Sequence, residues 1–145
     1  MARELYAEVV TAERLVYAGP VRYVSAPGVL GRLGILPGHA PLLAALRPGE
    51  LRIQPLHGNG EISLAVSGGF LEVAEGRVMV LARSAERPEE IDIERARRAR
   101  ERALQRLREN GGIDRARALA AKERAEARLA VAAKRGVGSS SGQQL

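Results

Sequence analysis

A chain of 145 residues with 46% hydrophobic content, only 3% aromatics and neither Cys nor Trp has the length for one domain or a small domain with an appendage, and must build its core from Val, Leu, Ile and Ala. The absence of cysteine excludes disulfides and thiolate metal sites, and two distant histidines, His39 and His57, are too few for a histidine metal centre; with no apolar run near the roughly 20 residues a membrane span needs and no apolar signal region after Met1, a soluble intracellular protein is expected. The net charge of +6 is unevenly placed: residues 1–85 hold 8 Lys/Arg against 7 Asp/Glu, a balance of +1, and residues 86–135 hold 15 against 10, a balance of +5.

Residues 1–85 read as β structure. Leu5, Ala7 and Val9 alternate with Glu4, Tyr6 and Glu8, the period of a half-buried strand. Leu15-Val16-Tyr17 predicts a short strand ended by Gly19-Pro20, and Val21 to Ser25 a third, closed by Ala26-Pro27-Gly28. Gly31-Arg32-Leu33-Gly34-Ile35-Leu36-Pro37-Gly38-His39-Ala40-Pro41-Leu42-Leu43 then packs three glycines and two prolines into an apolar run. It reads as strand, tight corner, strand, with Leu33, Ile35 and Leu36 directed into the core and Arg32 and His39 at the surface. Pro48-Gly49 predicts a turn into Leu51-Arg52-Ile53, and His57-Gly58-Asn59-Gly60 a hairpin. Glu61 to Ser67 and Phe70 to Ala74 flank Gly68-Gly69, and Glu75-Gly76 turns into Arg77 to Ala82. Short strands with turn signals every eight to twelve residues predict a β-sandwich or flattened barrel.

A boundary falls near Arg83 to Glu90, with Pro88 as its marker. Beyond it the hydrophobic period changes from two to 3.6. Asp92 is placed to N-cap a helix from Ile93 to about Asn110 with the stripe Ala96, Ala99, Ala103 and Leu107. Asn110-Gly111-Gly112 stops it. Asp114 is placed to cap a second helix with the stripe Ala118, Ala121, Ala125, Leu129 and Ala132. The short connection makes the pair an antiparallel hairpin, and the Gly/Ser/Gln-rich residues 136–145 are expected to be disordered. The fold class expected is therefore α+β: an N-terminal antiparallel β-sandwich (1–85), a C-terminal helical hairpin (86–135) and a tail. An alanine seam buries little area, while helix propensity stays high, so such a hairpin suits an arm that changes partners as well as one packed permanently on the sandwich.

No catalytic or metal-binding constellation stands out. Ser67-Gly68-Gly69 joins strand to strand and is no nucleophile elbow. His39 has no nucleophile beside it in the sequence, and Glu89-Glu90 suit the start of a helix, where acidic side chains favour the dipole. The arginines carry more information. Arg95, Arg98, Arg102 and Arg106 share one face of the first helix, and Arg117, Arg124 and Arg128 recur on the second. Folding the hairpin could gather guanidinium groups for a polyphosphate or an acidic protein surface. The same residues also suit a solvated face with intrahelical ion pairs. A nucleic-acid-binding module is the alternative, though ten acids are interleaved with the bases and no aromatic is available for stacking.

The segment from Gly31 to Leu43, followed in order by Pro48-Gly49, Ser67-Gly68-Gly69-Phe70-Leu71-Glu72-Val73, Val78-Met79-Val80-Leu81-Ala82 and Ile91-Asp92-Ile93-Glu94-Arg95-Ala96, resembles the epsilon subunit of F-type ATP synthases over nearly the whole chain. The resemblance implies a non-catalytic central-stalk subunit, peripheral on the cytoplasmic face of the inner membrane and held there only through its complex. It implies binding of the sandwich to the gamma subunit and to the polar loops of the c-ring. It further implies helices that either fold on the sandwich or extend toward the alpha/beta subunits and inhibit ATP hydrolysis. No tightly bound cofactor is implied, but ATP is a regulatory ligand of some bacterial members. The residues matching that ATP motif are Glu86, Asp92, Arg95, Ala96, Arg102, Arg124 and Arg128. Arg32 and His39 fall where partner contacts are implied, and Arg32 stands where many members carry Glu.

Overall fold

The structure, a computed structural model, describes residues 4–109 and 114–135; the Asn110-Gly111-Gly112 stop and the tail from 136 lie outside them. Alternating apolar residues lay down β1 (Leu5–Val10), β2 (Leu15–Gly28), β3 (Gly31–Ile35), β4 (Leu42–Pro55), β5 (Ile62–Ala74), β6 (Arg77–Ala82) and the two-residue β7 (Ala85–Glu86). The pairing order β1-β6-β5-β4-β2 closes on itself because β1 also pairs β2, while β3 extends from β2 and β7 from β5. All ladders are antiparallel except β1–β6, which is parallel. The closed circuit encloses Leu5, Val9, Val21, Val24, Ile35, Leu51, Ile53, Leu64, Val66, Leu71, Val73, Val78 and Val80, all nearly inaccessible to solvent.

Three places that the sequence marks as turns are corners within continuous strands. β2 runs through Gly19-Pro20: Pro20 stands opposite Tyr6, and its carbonyl accepts the Leu56 N–H at 3.0 Å. Proline removes only a donor and keeps an extended φ. β4 runs through Pro48-Gly49 and β5 through Gly68-Gly69, and the two strands stay paired from Leu42↔Val73 to Ile53↔Ile62. What changes there is parity. The core-facing residues of β5 go from Leu64 and Val66 to Leu71 and Val73, and those of β4 from Leu46 to Leu51 and Ile53. Gly68 (φ 114°) and Gly69 (φ 139°) supply the backbone that re-aims the strand, and a Cβ on Gly69 would collide with the Leu81 carbonyl.

The Gly31–Leu43 corner departs from expectation at one residue. Ile35 is fully buried, and Leu33 packs partly against the core, but Leu36 is 61% exposed. It follows Ile35 directly and so points to the opposite face of the pleat, at the point where β3 ends.

Helix α1 (Ile93–Arg108) begins at Asp92, whose Oδ1 accepts the Arg95 N–H at 3.1 Å. Helix α2 (Arg115–Ala132) follows Asp114, which holds the cap position without a side-chain hydrogen bond. The helices pack on each other, and α2 packs on β4 and β5. The alanine stripe is only half of the α2 interface. Ala118, Ala125 and Ala132 are buried along one line, while Ala127 and Val131 form a second. Val131 and Ala132 meet Ala65 of β5 and Ile91, with Ile93 at the margin.

The connection between sheet and helices, β7 and a turn of 3-10 helix at Pro88–Glu90, is strapped down by arginines. Arg14 donates to the Ala85 carbonyl at 3.1 Å and pairs with Glu90 at 2.9 Å. Arg87 donates to the Val16 carbonyl at 3.0 Å. The Arg14 hydrogen bond and the Arg87 backbone N–H hold the Glu90 carboxyl below the usual carboxylate range.

The burial pattern separates two neighbouring aliphatic positions. Ile35→Ala is expected to lower unfolding free energy by about 2–5 kcal/mol, and Leu36→Ala to change it by no more than about 0.5 kcal/mol, as read by urea denaturation of the two variants.

Candidate functional site

Asp92 fixes the start of α1 and thereby the rotation of every side chain after it. Arg102 and Arg106, four residues apart, fall on one face, with Ala99 and Ala103 beside them. Across the seam α2 presents Ala118, Ala121 and Ala125 with Arg124 and Arg128. Together these nine residues line a groove of about 230 Å³. Alanine permits the close approach of the two helices, and the long arginine side chains rise around a floor of methyl groups. Arg124 and Arg128 also border a crevice on the sheet side lined by Ala65, Val66, Ser67 and Ser84.

One carboxylate enters this group. Arg128 Nε donates to Glu86 Oε1 at 2.5 Å, with the two side chains 36% and 27% exposed. Among the described residues Arg102, Arg106 and Arg124 make no ion pair, whereas Arg97 pairs with Glu94 at 2.6 Å on the same helix and Arg100 with Glu126 of α2 at 3.3 Å. Four guanidinium groups against one carboxylate leave the groove with an excess of three positive charges. Planar donors of this kind fit phosphate oxygens bidentately. The volume is below the about 300–1,000 Å³ of pockets that enclose a drug-sized ligand, so the groove matches a small polyanion or the phosphate end of a larger molecule.

The structure thus brings Glu86, Arg102, Arg124 and Arg128 together. Asp92 acts as the helix cap, Ala96 is buried, and Arg95 is exposed two turns before Arg102; none of the three lines the groove. Arg98 sits on the outer surface beside Arg97 and Glu101, and Arg117 is exposed and outside the groove. Arg106 belongs to the groove although the motif omits it, and its i+4 spacing from Arg102 is the signal that finds it. Among the described residues no group of three His, Cys, Asp or Glu is placed to hold a metal ion.

The second candidate region is the Gly31–Leu43 corner. His39 is exposed, its Nδ1 2.7 Å from the Ala40 carbonyl oxygen. Arg32 lies at the surface, but its guanidinium folds back, donating from Nη1 at 2.9 Å and from Nη2 at 2.5 Å to the Glu50 carbonyl. Burial lowers the pKa of that guanidinium. Beside it a cavity of about 440 Å³ is walled by Val29, Leu30, Leu33, Leu42 and Leu43 among others. On the outer face of the sheet, Ala45, Phe70 and Leu81 stand in one cross-strand row, with Phe70 56% and Leu81 52% exposed.

Residues 4–88 match the family described as ATP synthase, Delta/Epsilon chain, beta-sandwich domain. Residues 89–132 match its long alpha-helix domain. An ATP synthase epsilon chain of Nitratidesulfovibrio vulgaris (strain DP4) is 49% identical over 133 residues, covering 90% of this chain and 97% of that one. One from Moorella thermoacetica is 51% identical over 126 residues, covering 86% and 93%. Among solved structures, a chain of the Euglena gracilis mitochondrial ATP synthase, in its OSCP/F1/c-ring assembly, superposes with a TM-score of 0.77 at 25% identity over 87% of this chain and 79% of that one.

The Glu86–Arg128 pair generates a prediction. Because it is partly exposed, Glu86→Gln should change thermal stability by less than about 1 kcal/mol. Calorimetric titration with inorganic pyrophosphate should show tighter binding by that variant, since Arg128 would no longer exchange a carboxylate for the ligand. Equal affinity would mean that Glu86 and the anion do not compete.

Proposed function

This chain belongs to the ATP synthase delta/epsilon family as an epsilon subunit of the bacterial type, and on that premise we propose that it is a non-catalytic central-stalk subunit that couples rotation to ATP synthesis and restrains ATP hydrolysis through its helical hairpin. In this reading the sandwich seats on the gamma subunit. The exposed row of Ala45, Phe70 and Leu81 supports this, since a contiguous apolar patch left in contact with water favours a protein partner. The corner holding Arg32 and His39, with its apolar cavity, faces the polar loops of the c-ring. No helix among the described residues is long and apolar enough to cross a membrane, which suits a subunit held at the cytoplasmic face of the inner membrane by its complex.

The observation that carries the regulatory part is the groove. Arginines of both helices line it, so it exists only while the two helices lie side by side. Extension of the hairpin toward the alpha/beta subunits would dismantle it. ATP binding to the groove therefore favours the compact form, because a ligand shifts an equilibrium by its differential affinity for the two states. At 100 times its dissociation constant such a ligand contributes about 2.7 kcal/mol, a large bias against a joint built from Ala65, Ile91, Val131 and Ala132. The alternative of nucleic-acid binding is less well supported: residues 86–135 contain no aromatic side chain, and most of the helix arginines with a defined role either line the inter-helix groove or pair with neighbouring acids.

Two measurements test this reading. Phe70→Asp combined with Leu81→Asp should abolish co-purification with a gamma subunit while leaving the melting temperature within a few degrees, and retained binding would move the gamma contact elsewhere. Titration of the full chain with ATP and Mg²⁺ should give a binding isotherm that is lost in the Arg124→Ala/Arg128→Ala variant. No heat at millimolar nucleotide would remove the ATP role and leave the stalk-subunit role standing.

A further inference from the structure

One carboxylate outside the groove gathers side chains from β4, β5 and the end of α2, and its own backbone is held from β3. Glu50 lies on β4 opposite Ala65 of β5, on the outer face of the sheet where the last turn of α2 rests. Its side chain is 15% exposed. Oε1 accepts from Arg52 Nε at 2.9 Å, and Oε2 accepts from Ser63 Oγ at 2.5 Å. Oε2 also receives Lys134 Nζ, just beyond the end of α2. The backbone carbonyl of the same residue carries both terminal nitrogens of Arg32. Lys134 therefore docks on a carboxylate already fixed by two sheet residues, and the strand segment bearing that carboxylate is braced from β3.

We propose that Glu50 is the latch that holds the C-terminal end of α2 on the sheet, and that Arg32 braces it, so that the position of the β3 corner is transmitted to the hairpin. The other charged tie between the helix and β4 is weaker: Arg47 meets Glu123 at 3.5 Å with both side chains well exposed. Arg135 pins the same end of α2 to a different place, donating to the Pro88 and Ile91 carbonyls at 2.8 and 2.6 Å. It fixes the helix to the connecting segment and not to the sheet. Lifting this end of α2 breaks the Glu50–Lys134 pair, and, if the connecting segment stays in place, the Arg135 hydrogen bonds and the Arg128–Glu86 pair as well; of these, Glu50–Lys134 is the one that ties the end to β4. The meaning of such lifting for the enzyme rests on the hairpin role proposed above; the latch itself is a property of the isolated chain.

The chain has no cysteine, so spin labels can be placed cleanly at Ala74 of β5 and Ala130 of α2, both exposed, and their separation read by pulsed electron paramagnetic resonance on the full chain without nucleotide or partner. Glu50→Gln and Lys134→Gln should each raise the long-distance fraction about two- to five-fold, the range expected of a partly exposed ion pair. The double variant should raise it no further than either single one, because both remove the same contact. Arg32→Gln should shift the fraction in the same direction by less. Unchanged distributions in both single variants, or independent effects that multiply in the double variant, would overturn the latch. An unchanged Arg32→Gln distribution would overturn the brace. Lys134 is a surface residue beyond the last helix, so Lys134→Gln keeps the test decisive even if Glu50→Gln disturbs folding. Should the latch variants release the hairpin without changing ATP hydrolysis by the assembled complex, the inhibitory role would fail and the latch would stand.

Discussion

The whole arrangement depends on β5 being buried on both faces over four consecutive residues. Leu64 and Val66 point into the closed sheet, while Ser63 and Ala65 point outward and are covered as well. The outer pair must be small for a helix to lie against the strand, and the one hydroxyl there must find a partner, which the Glu50 carboxylate provides at 2.5 Å. A buried polar group without such a partner would oppose docking. The two domains thus meet through a narrow strip of strand, and the joint is small because only small side chains fit it.

Arginine does two different jobs in this chain. Arg14, Arg32, Arg87 and Arg135 donate to main-chain carbonyls of distant segments and act as struts between pieces of backbone. Those struts converge on the neighbourhood of Glu50 and the connecting segment. Burial alone would raise the Glu50 pKa, yet hydrogen bonds from Lys134, Ser63 and Arg52 outweigh it and hold the group below the usual carboxylate range, so it is a charged anchor at neutral pH. Arg102, Arg106 and Arg124 have no such commitments among the described residues and remain available around the groove. The net positive charge of the second half therefore divides into structural struts and an unneutralised cluster, a distinction that sequence spacing alone does not draw.

Most of the fold is legible in the sequence because period and punctuation agree. β1, β6, the Glu75-Gly76 turn and the Asp92 cap follow from local rules and stand where expected. Pro48-Gly49 and Gly68-Gly69 mimic chain reversals because the residues that permit a turn also permit a parity change inside a strand, and Gly19-Pro20 mimics one although β2 passes through it in unbroken register with β1; only non-local pairing tells these from a turn. Leu36 is misplaced by hydrophobicity alone, since Ile35 next to it already fills the inward position. The second buried line of α2, Ala127 and Val131, is hidden because a helix clamped between a partner helix and a sheet has apolar residues on two faces and no single stripe. In the candidate groove, motif spacing locates Arg102, Arg124 and Arg128 but not the ion pair between Glu86 and Arg128, which arises from a contact across 42 residues of chain.

The circular pairing of β1, β6, β5, β4 and β2 also governs how this domain can meet other proteins. Where a strand of the circuit is paired on both sides, as β1 is between β2 and β6, its hydrogen-bonding groups are engaged and it cannot recruit an extra strand from a neighbour or template aggregation. Among the described residues the circuit leaves as outlying strands the two-residue β7 and β3, which is only five residues long and carries Arg32. Binding partners are thereby confined to reading side chains and loops, and two copies of the sandwich have little means of fusing edge to edge even when crowded together.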